Sequence, residues 1–417
     1  MGNTRQPRAM QRVVITGLGP VTAIGLGQEE FHRAQLEGRN GVQTISRFDP
    51  TGFAVRVAAE VHNDLGQWFG PREVKRLDRF TQLAVVATQL ALEDSGLELS
   101  GLDLERVGAV IGSGIGGMTT WEAQARVGFE RGYNRISPFT VPMLMANAAV
   151  TQVAMRHDLL GPTSSVSTAC ATGTDAIGQA TRLIQHGEAD VMLAGSSESM
   201  ITPLAIGAFS ALRAMSSRND DPASASRPFD RTRDGFVMAE GSAVLVLESL
   251  EHARARGARI YAEIIGFGRS ADAHHEVEPH PNGEGLARAM RYALRDAELE
   301  PSDIDYVNAH ATSTPIGDRA EVRAIKHVFG SHATNLSISS TKSMIGHAVG
   351  ASGSIEAVAV AQAISSGMVP PTVNLEEPDP DFGLDFVPQA KAQGLRYAIS
   401  NSSGFGGLNA VLVMAKI

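Results

Sequence analysis

One cysteine, Cys170, in 417 residues excludes an intrachain disulfide. Long hydrophobic runs are missing too. The most apolar long stretch, 191–215, is broken by Gly195, Ser196, Ser197, Glu198 and Pro203, so it does not read as a membrane span. The first ten residues, MGNTRQPRAM, have no apolar core, and no secretory signal is expected. Gln6 stands where a myristoylation motif beginning at Gly2 wants Ser or Thr. An excess of positive charge is also absent. A net charge of −9 argues against nucleic acid or an anionic membrane as the main partner, while leaving room for a local basic patch facing an acidic one. A cytoplasmic chain is expected.

What is present is an ordinary globular balance, 43% hydrophobic and 19% charged, with 43 glycines for tight turns and close backbone contacts. Apolar, β-branched runs ending in Gly or small polar residues predict strands at 12–19, 106–114, 164–170, 191–196 and 242–248. A second set is predicted at 260–268, 305–310, 336–340, 396–401 and 409–416. The sets run in parallel. Both open on a G-x-G turn (GLG, GFG) and close on nearly the same strand (SAVLVLE, NAVLVMA). Both place a helix after the third strand, at 175–186 and 352–366, each stopped by a glycine, Gly187 or Gly367. This reads as an internal duplication with halves 11–256 and 257–417. Nearly continuous apolar strands alternating with helices imply an α/β fold with sheets covered on both faces. Reacting groups in such folds gather at strand ends, and a pseudo-twofold would bring together Cys170, His310 and the segment leading to His347.

Cys170 sits where a strand gives way to a helix, a position whose dipole favours thiolate, with small neighbours Ala169, Ala171 and Gly173 leaving room for a substrate. The plain alternative is a buried structural cysteine. His310 and His347 each lie in a Gly/Ala/Ser/Thr turn at a strand end rather than on an apolar helix face. Lys342 stands five residues before His347, either to tune a neighbour or as a solvated surface lysine. The turn NSSGFGGLN at 401–409 surrounds Phe405 with glycines that would let the ring move or let N–H groups reach a ligand. Two other patterns are set aside. Gly112, Gly114 and Gly117 match G-x-G-x-x-G, but no strand with an acidic end follows at the spacing a dinucleotide site needs. His274, His275 and His280 contain no helical i, i+4 pair and are interrupted by prolines, which speaks against zinc.

Five motifs in order carry a resemblance across essentially the whole chain: TACATGTDAIG around Cys170, RPFDRTRDGFVMAEG at 227–241, NAHATSTPIGD around His310, STKSMIGH before His347, and NSSGFGGLN around Phe405. The chain resembles the elongating β-ketoacyl-acyl-carrier-protein synthases, condensing enzymes of the thiolase superfamily. The resemblance implies a thiolase-like five-layered αβαβα fold of two duplicated halves, each with a mixed five-stranded sheet, and a homodimer. It implies decarboxylative condensation of an acyl thioester with malonyl-acyl carrier protein, extending a fatty acid by two carbons through an acyl-cysteine. Cys170, His310 and His347 would react, with Lys342 and Glu356 in support. Thr312 and Thr314 would contact the phosphopantetheine arm that carries the substrates, and Phe405 would gate an acyl pocket lined by Ile115 and Phe209. Arg72, Lys75, Arg76, Arg135 and Arg213 would dock the acidic carrier protein. No cofactor or catalytic metal is implied, although Asn308, Glu356, Ser400 and Asn401 match a structural monovalent-cation site of some relatives.

Degradative relatives need a second active-site cysteine, and chain-initiating ones use Asn where His347 stands. The pattern departs at Ala311 (usually Gly), Ser403 (often aromatic) and Leu408 (usually polar); the last two bear on gating and acyl length. Competing readings are a polyketide ketosynthase, a non-catalytic partner subunit and a Cys–His hydrolase. TACATG rather than TACSS favours fatty-acid elongation. Retention of Cys170, His310, His347 and Lys342 together argues against the partner subunit, and the second histidine has no evident use in a hydrolase.

Overall fold

A computed structural model describes residues 10–417 of the chain; nearly all of the polar N-terminal stretch considered above lies outside them. Five principal strands form in each half. The first half has β1 (Val13–Thr22), β2 (Val107–Gly112), β3 (Thr163–Ser164), β4 (Val191–Glu198) and β5 (Gly241–Ser249). The second has β6 (Ala262–Ala271), β7 (Tyr306–Asn308), β8 (Ser337–Ser339), β9 (Tyr397–Gly404) and β10 (Leu408–Ala415).

The duplication is visible in the topology. From the centre outward the first half runs β1-β5-β4-β2-β3 and the second β6-β10-β9-β7-β8, the same order of first, fifth, fourth, second and third strand. The directions repeat as well: the second strand is parallel to the third and fourth, and the fifth is antiparallel to the fourth and first. The arrays join where Val13, Val14 and Ile15 pair with Ile264, Glu263 and Ala262.

Three apolar cores account for the layering. One lies outside the first sheet, beneath α1 (Arg79–Ser95) and α2 (Ala148–Arg156). One lies outside the second, beneath α4 (Glu284–Asp296) and α5 (Pro315–Phe329). The largest holds α3 (Thr172–Gln185) and α6 (Ser352–Ser366) between the sheets. Every residue of α6 from Ser352 to Ile364 is buried, as a helix without a solvent face must be. Small residues let the two central helices start against each other. A Cβ on Gly173 would meet the Ser354 nitrogen at 2.4 Å, and one on Gly353 would meet Thr174 Oγ1 at 2.3 Å. That contact brings together the turns that open the two central helices. Among the described residues no helix is long and apolar enough to cross a membrane.

Candidate active site

The third strand of the first half is much shorter than its sequence suggests. It ends at Ser164 on the sheet edge, and 165–170 leave the ladder for other partners. Val166 O accepts the Ser113 N–H at 3.2 Å, and the Ser167 hydroxyl donates to Gly114 O at 3.1 Å. Cys170 therefore lies not at a strand end but in a 3-10 turn, Ala169–Ala171, that opens α3. Ala169 is held at φ +50°, a left-handed conformation that side chains disfavour.

The second half repeats the device. A 3-10 turn, Val349–Ala351, opens α6 with Val349 at φ +42°. His347 precedes that turn and is 4% exposed. Its Nε2 lies 3.1 Å from Cys170 Sγ and its Nδ1 2.9 Å from Ser352 Oγ. His310 stands edge-on to it, ring centroids 5.4 Å apart at 85°. Glu321 holds the His310 backbone, accepting its N–H at 2.9 Å and that of Ala311 at 2.7 Å. Behind His310, Lys342 is fully buried, so its surface-lysine reading fails. Lys342 Nζ pairs with Glu356 and lies 3.4 Å from His310 Nδ1.

The charges follow from burial. Burial pushes the Cys170 thiol up to about 11, and the Glu198 carboxylate adds to the rise. The Phe405 N–H, the positive Lys342 and the N–H of Cys170 itself oppose it without prevailing. The resting group is thus a thiol, and the thiolate expected from the helix dipole is overridden by desolvation. Both histidines are driven well below their ordinary value, first by burial and then by the Lys342 charge, so both are neutral. An ammonium donating to His310 Nδ1 leaves that ring's proton on Nε2. Burial raises Glu356 to about 7 despite its lysine partner.

These groups open on a cavity of about 550 Å³ whose walls include Cys170, His310, His347, Thr312, Thr314, Ile115, Phe209 and Phe405. Phe405 stacks on Phe209 at 6.3 Å, and Phe209 meets Phe236 edge-on at 6.0 Å. Thr312 and Thr314 face each other, Oγ1 to Oγ1, at 3.2 Å. Lys342 and Glu356 stand behind the wall rather than in it.

Of the five expected docking cations, Arg213 alone lines the cavity. Arg72, Lys75 and Arg76 are exposed around the turn Val74–Arg76, with Arg76 over the Phe139 ring at 4.5 Å. Arg135 is exposed at the end of the turn Tyr133–Arg135. On the expected cation-site residues, Asn308 Oδ1, Glu356 Oε2, Ser400 Oγ and Asn401 Oδ1 are among the buried oxygens that have no hydrogen-bond partner. Asn308 and Ser400 are direct neighbours in the β7–β9 register. Oxygens left bare in this way suit a hard monovalent cation. In the 274–280 segment, His275 Nδ1 instead accepts the N–H groups of Val277 and Glu278, both at 3.1 Å.

Two buried carboxylates escaped the sequence reading. Glu321 follows Asp318 by one helical turn on the buried face of α5, and acids on an apolar face were the available signal. Glu198 ends β4 inside the 191–215 run, where it registered only as an interruption.

The family model for the beta-ketoacyl synthase N-terminal domain matches residues 10–253, and that for the C-terminal domain matches residues 261–376. The chain is 48% identical to 3-oxoacyl-[acyl-carrier-protein] synthase 2 of Synechocystis sp., over 97% of this chain and 98% of that protein. It is also 48% identical to the synthase of the same name from Coxiella burnetii, over 98% and 99%. Among solved structures, a type II polyketide ketosynthase in complex with its acyl carrier protein superposes with a TM-score of 0.90 at 36% identity, covering 98% of this chain and 100% of that one. A beta-ketoacyl synthase from Burkholderia phymatum gives 0.91 at 37%, again covering 98% and 100%. Two domain matches in the right order, with near-half identity to these synthases along almost the full length, place this chain in the β-ketoacyl synthase family.

Proposed function

We propose that the protein elongates acyl chains by decarboxylative condensation with malonyl-acyl carrier protein, using Cys170 as nucleophile. The observation that carries this reading is the 3.1 Å approach of Cys170 Sγ to His347 Nε2, with His310 edge-on beside it at the cavity wall. Cys170 gives its proton to His347 as sulfur attacks the acyl thioester carbonyl. The Cys170 and Phe405 N–H groups, which meet Sγ at rest, bind the tetrahedral oxyanion. Collapse expels the phosphopantetheine thiolate, which His347 reprotonates, and the acyl group stays on sulfur.

Malonyl thioester then enters. His310, and His347 in the tautomer that accepts the Ser352 hydroxyl at Nδ1, donate Nε2–H to its carbonyl oxygen while carbon dioxide leaves, and the electron pair of the broken bond forms the enolate. The enolate carbon attacks the acyl-cysteine, and the Cys170 thiolate departs and takes up a proton from water. Lys342 and Glu356 act on His310 from behind, and Glu321 holds its backbone. A monovalent cation on Asn308, Glu356, Ser400 and Asn401 would balance the buried Glu356 charge; it takes no part in the chemistry.

The partner is an acyl carrier protein in the cytoplasm, with Arg213 at the cavity rim as the first docking cation and Arg72, Lys75, Arg76 and Arg135 farther out. The exposed edge strand β3, with Leu160 69% exposed just ahead of it and Phe129 78% exposed on the helix Met118–Arg131, supports a homodimer. Incubation with acyl- and malonyl-acyl carrier protein should yield carbon dioxide and β-ketoacyl product, and Cys170→Ala should end condensation. Free fatty acid in place of the condensed product would turn the assignment toward hydrolysis.

A further inference from the structure

Glu198 is completely buried and has no part in the reaction as drawn. Its surroundings are specific. Oε2 accepts the Gly114 N–H at 2.7 Å and the Gly350 N–H at 3.2 Å, and Oε1 accepts the Ser113 hydroxyl at 2.9 Å. Ser113 Oγ in turn accepts the Gly116 N–H at 2.9 Å. The strand order of the two halves gives this arrangement a counterpart. Gly350 is the middle residue of the 3-10 turn that opens α6, as Cys170 is of the turn that opens α3. Glu198 ends the fourth strand of its half, and Gly404 ends the fourth strand of the other, just before Phe405. At one place, then, the N–H groups of Cys170 from the first half and Phe405 from the second meet at the reacting sulfur. At the related meeting of the halves, the N–H of Gly350 from the second half and that of Gly114, after the second strand of the first, meet at a carboxylate of the chain itself.

The fit leaves no slack. A Cβ on Gly114 would fall 2.7 Å from Glu198 Oε2, and one on Gly350 would fall 2.5 Å from the same oxygen and 2.5 Å from the Gly114 nitrogen. The two turns therefore touch across the carboxylate. Each leads to the active site. Gly114 precedes Ile115, which lines the cavity, and its carbonyl accepts the Ser167 hydroxyl just ahead of Cys170. Gly350 follows Val349, which also lines the cavity, and His347. Burial pushes Glu198 up to about 7, opposed by the Ser113 hydroxyl and the N–H groups of Gly114, Ile115 and Gly350.

We propose that Glu198 is a positioning residue whose side chain bridges the Gly114 turn of the first half and the Gly350 turn of the second, locking the Ile115 wall and the His347 turn against Cys170 and so setting which acyl chains the cysteine accepts. The proposal rests on the ketosynthase reading of the cavity.

The test compares Cys170 acylation by a short and a long acyl-acyl carrier protein, followed by intact mass, in the wild type, Glu198→Gln, Glu198→Ala and Ser113→Ala. Near-ultraviolet circular dichroism scores the folded fraction. Glutamine keeps an acceptor oxygen for both N–H groups, so the long-to-short rate ratio should stay within about twofold of the wild type. Alanine frees both turns and should shift the ratio about tenfold, the factor one charge-assisted hydrogen bond carries. A folded Glu198→Ala protein with the wild-type ratio, or equal losses at both chain lengths in Glu198→Gln and Glu198→Ala, overturns the proposal. If Glu198→Ala does not fold, Ser113→Ala decides: it releases only the Ile115 turn, so a shift of about threefold supports the proposal and an unchanged ratio overturns it. A wild type that forms no acyl adduct with either substrate sinks the ketosynthase reading itself, a result separate from any variant's ratio.

Discussion

Replacing Lys342 by methionine removes the ammonium from between Glu356 and His310 while keeping most of its volume. Lys342 and Glu356 are fully buried, so the variant strands a carboxylate that water cannot reach. Breaking a buried ion pair by deleting one partner costs about 3–5 kcal/mol. With an unfolding entropy of about 2.1 cal/mol/K per residue over 417 residues, that is a fall in Tm of roughly 3–6 °C. Glu356 already titrates at about 7 with its lysine present, and without it the carboxyl rises further. A carboxyl raised in the folded state holds its proton more tightly there than in the unfolded chain. Its cost therefore appears as pH climbs from the ordinary carboxylate range through the folded value, and Lys342→Met should lose more stability at pH 8 than at pH 5. The double variant Lys342→Met/Glu356→Gln removes both charges and should recover most of the loss. Malonyl decarboxylation should not recover, because His310 Nδ1 still lacks the donor that fixes its proton on Nε2; a fall of about 10²-fold is expected in both variants. Thermal denaturation at two pH values and carbon dioxide release check the two halves of the argument. Additive Tm losses with no recovery would refute the buried pair, and undiminished decarboxylation would refute the action of Lys342 on His310.

Three further outcomes follow from the same geometry. His310→Ala should leave Cys170 acylation nearly intact while lowering malonyl decarboxylation by about 10²–10³-fold, read by mass and by carbon dioxide release. Alkylation of the resting Cys170 by iodoacetamide should keep rising with pH beyond the ordinary thiol range, since burial has pushed the group up to about 11. Exchanging sodium or potassium for a bulky organic cation should lower Tm in the wild type, and Asn401→Ala should shrink that difference, because Asn401 Oδ1 is one of the partnerless oxygens on the expected cation-site residues.

The sequence exposed the duplication because strands at the centre of a buried sheet have no polar face. β4, β5 and β10 are buried almost throughout and were found within one to two residues of their ends. β3 was overread because SSVSTAC has strand composition, whereas its place at the sheet edge lets the serines and carbonyls bond to the 113–114 turn. The meeting of Cys170, His310 and His347 was legible from their small-residue turns, since only such turns let two helix starts approach as Gly173 and Gly353 do. Their protonation was not legible: a helix start argues for thiolate, but the burial that defeats it comes from residues hundreds of positions away. Glu198 and Glu321 were hidden for the related reason that a buried carboxylate reveals its purpose only through the N–H groups folded around it.

The most direct test of the whole account is intact mass spectrometry of the protein after acyl-acyl carrier protein is added, and again after malonyl-acyl carrier protein follows. The account predicts one acyl adduct on Cys170 that disappears as β-ketoacyl product forms. A folded protein that acquires no adduct across a range of chain lengths would contradict it.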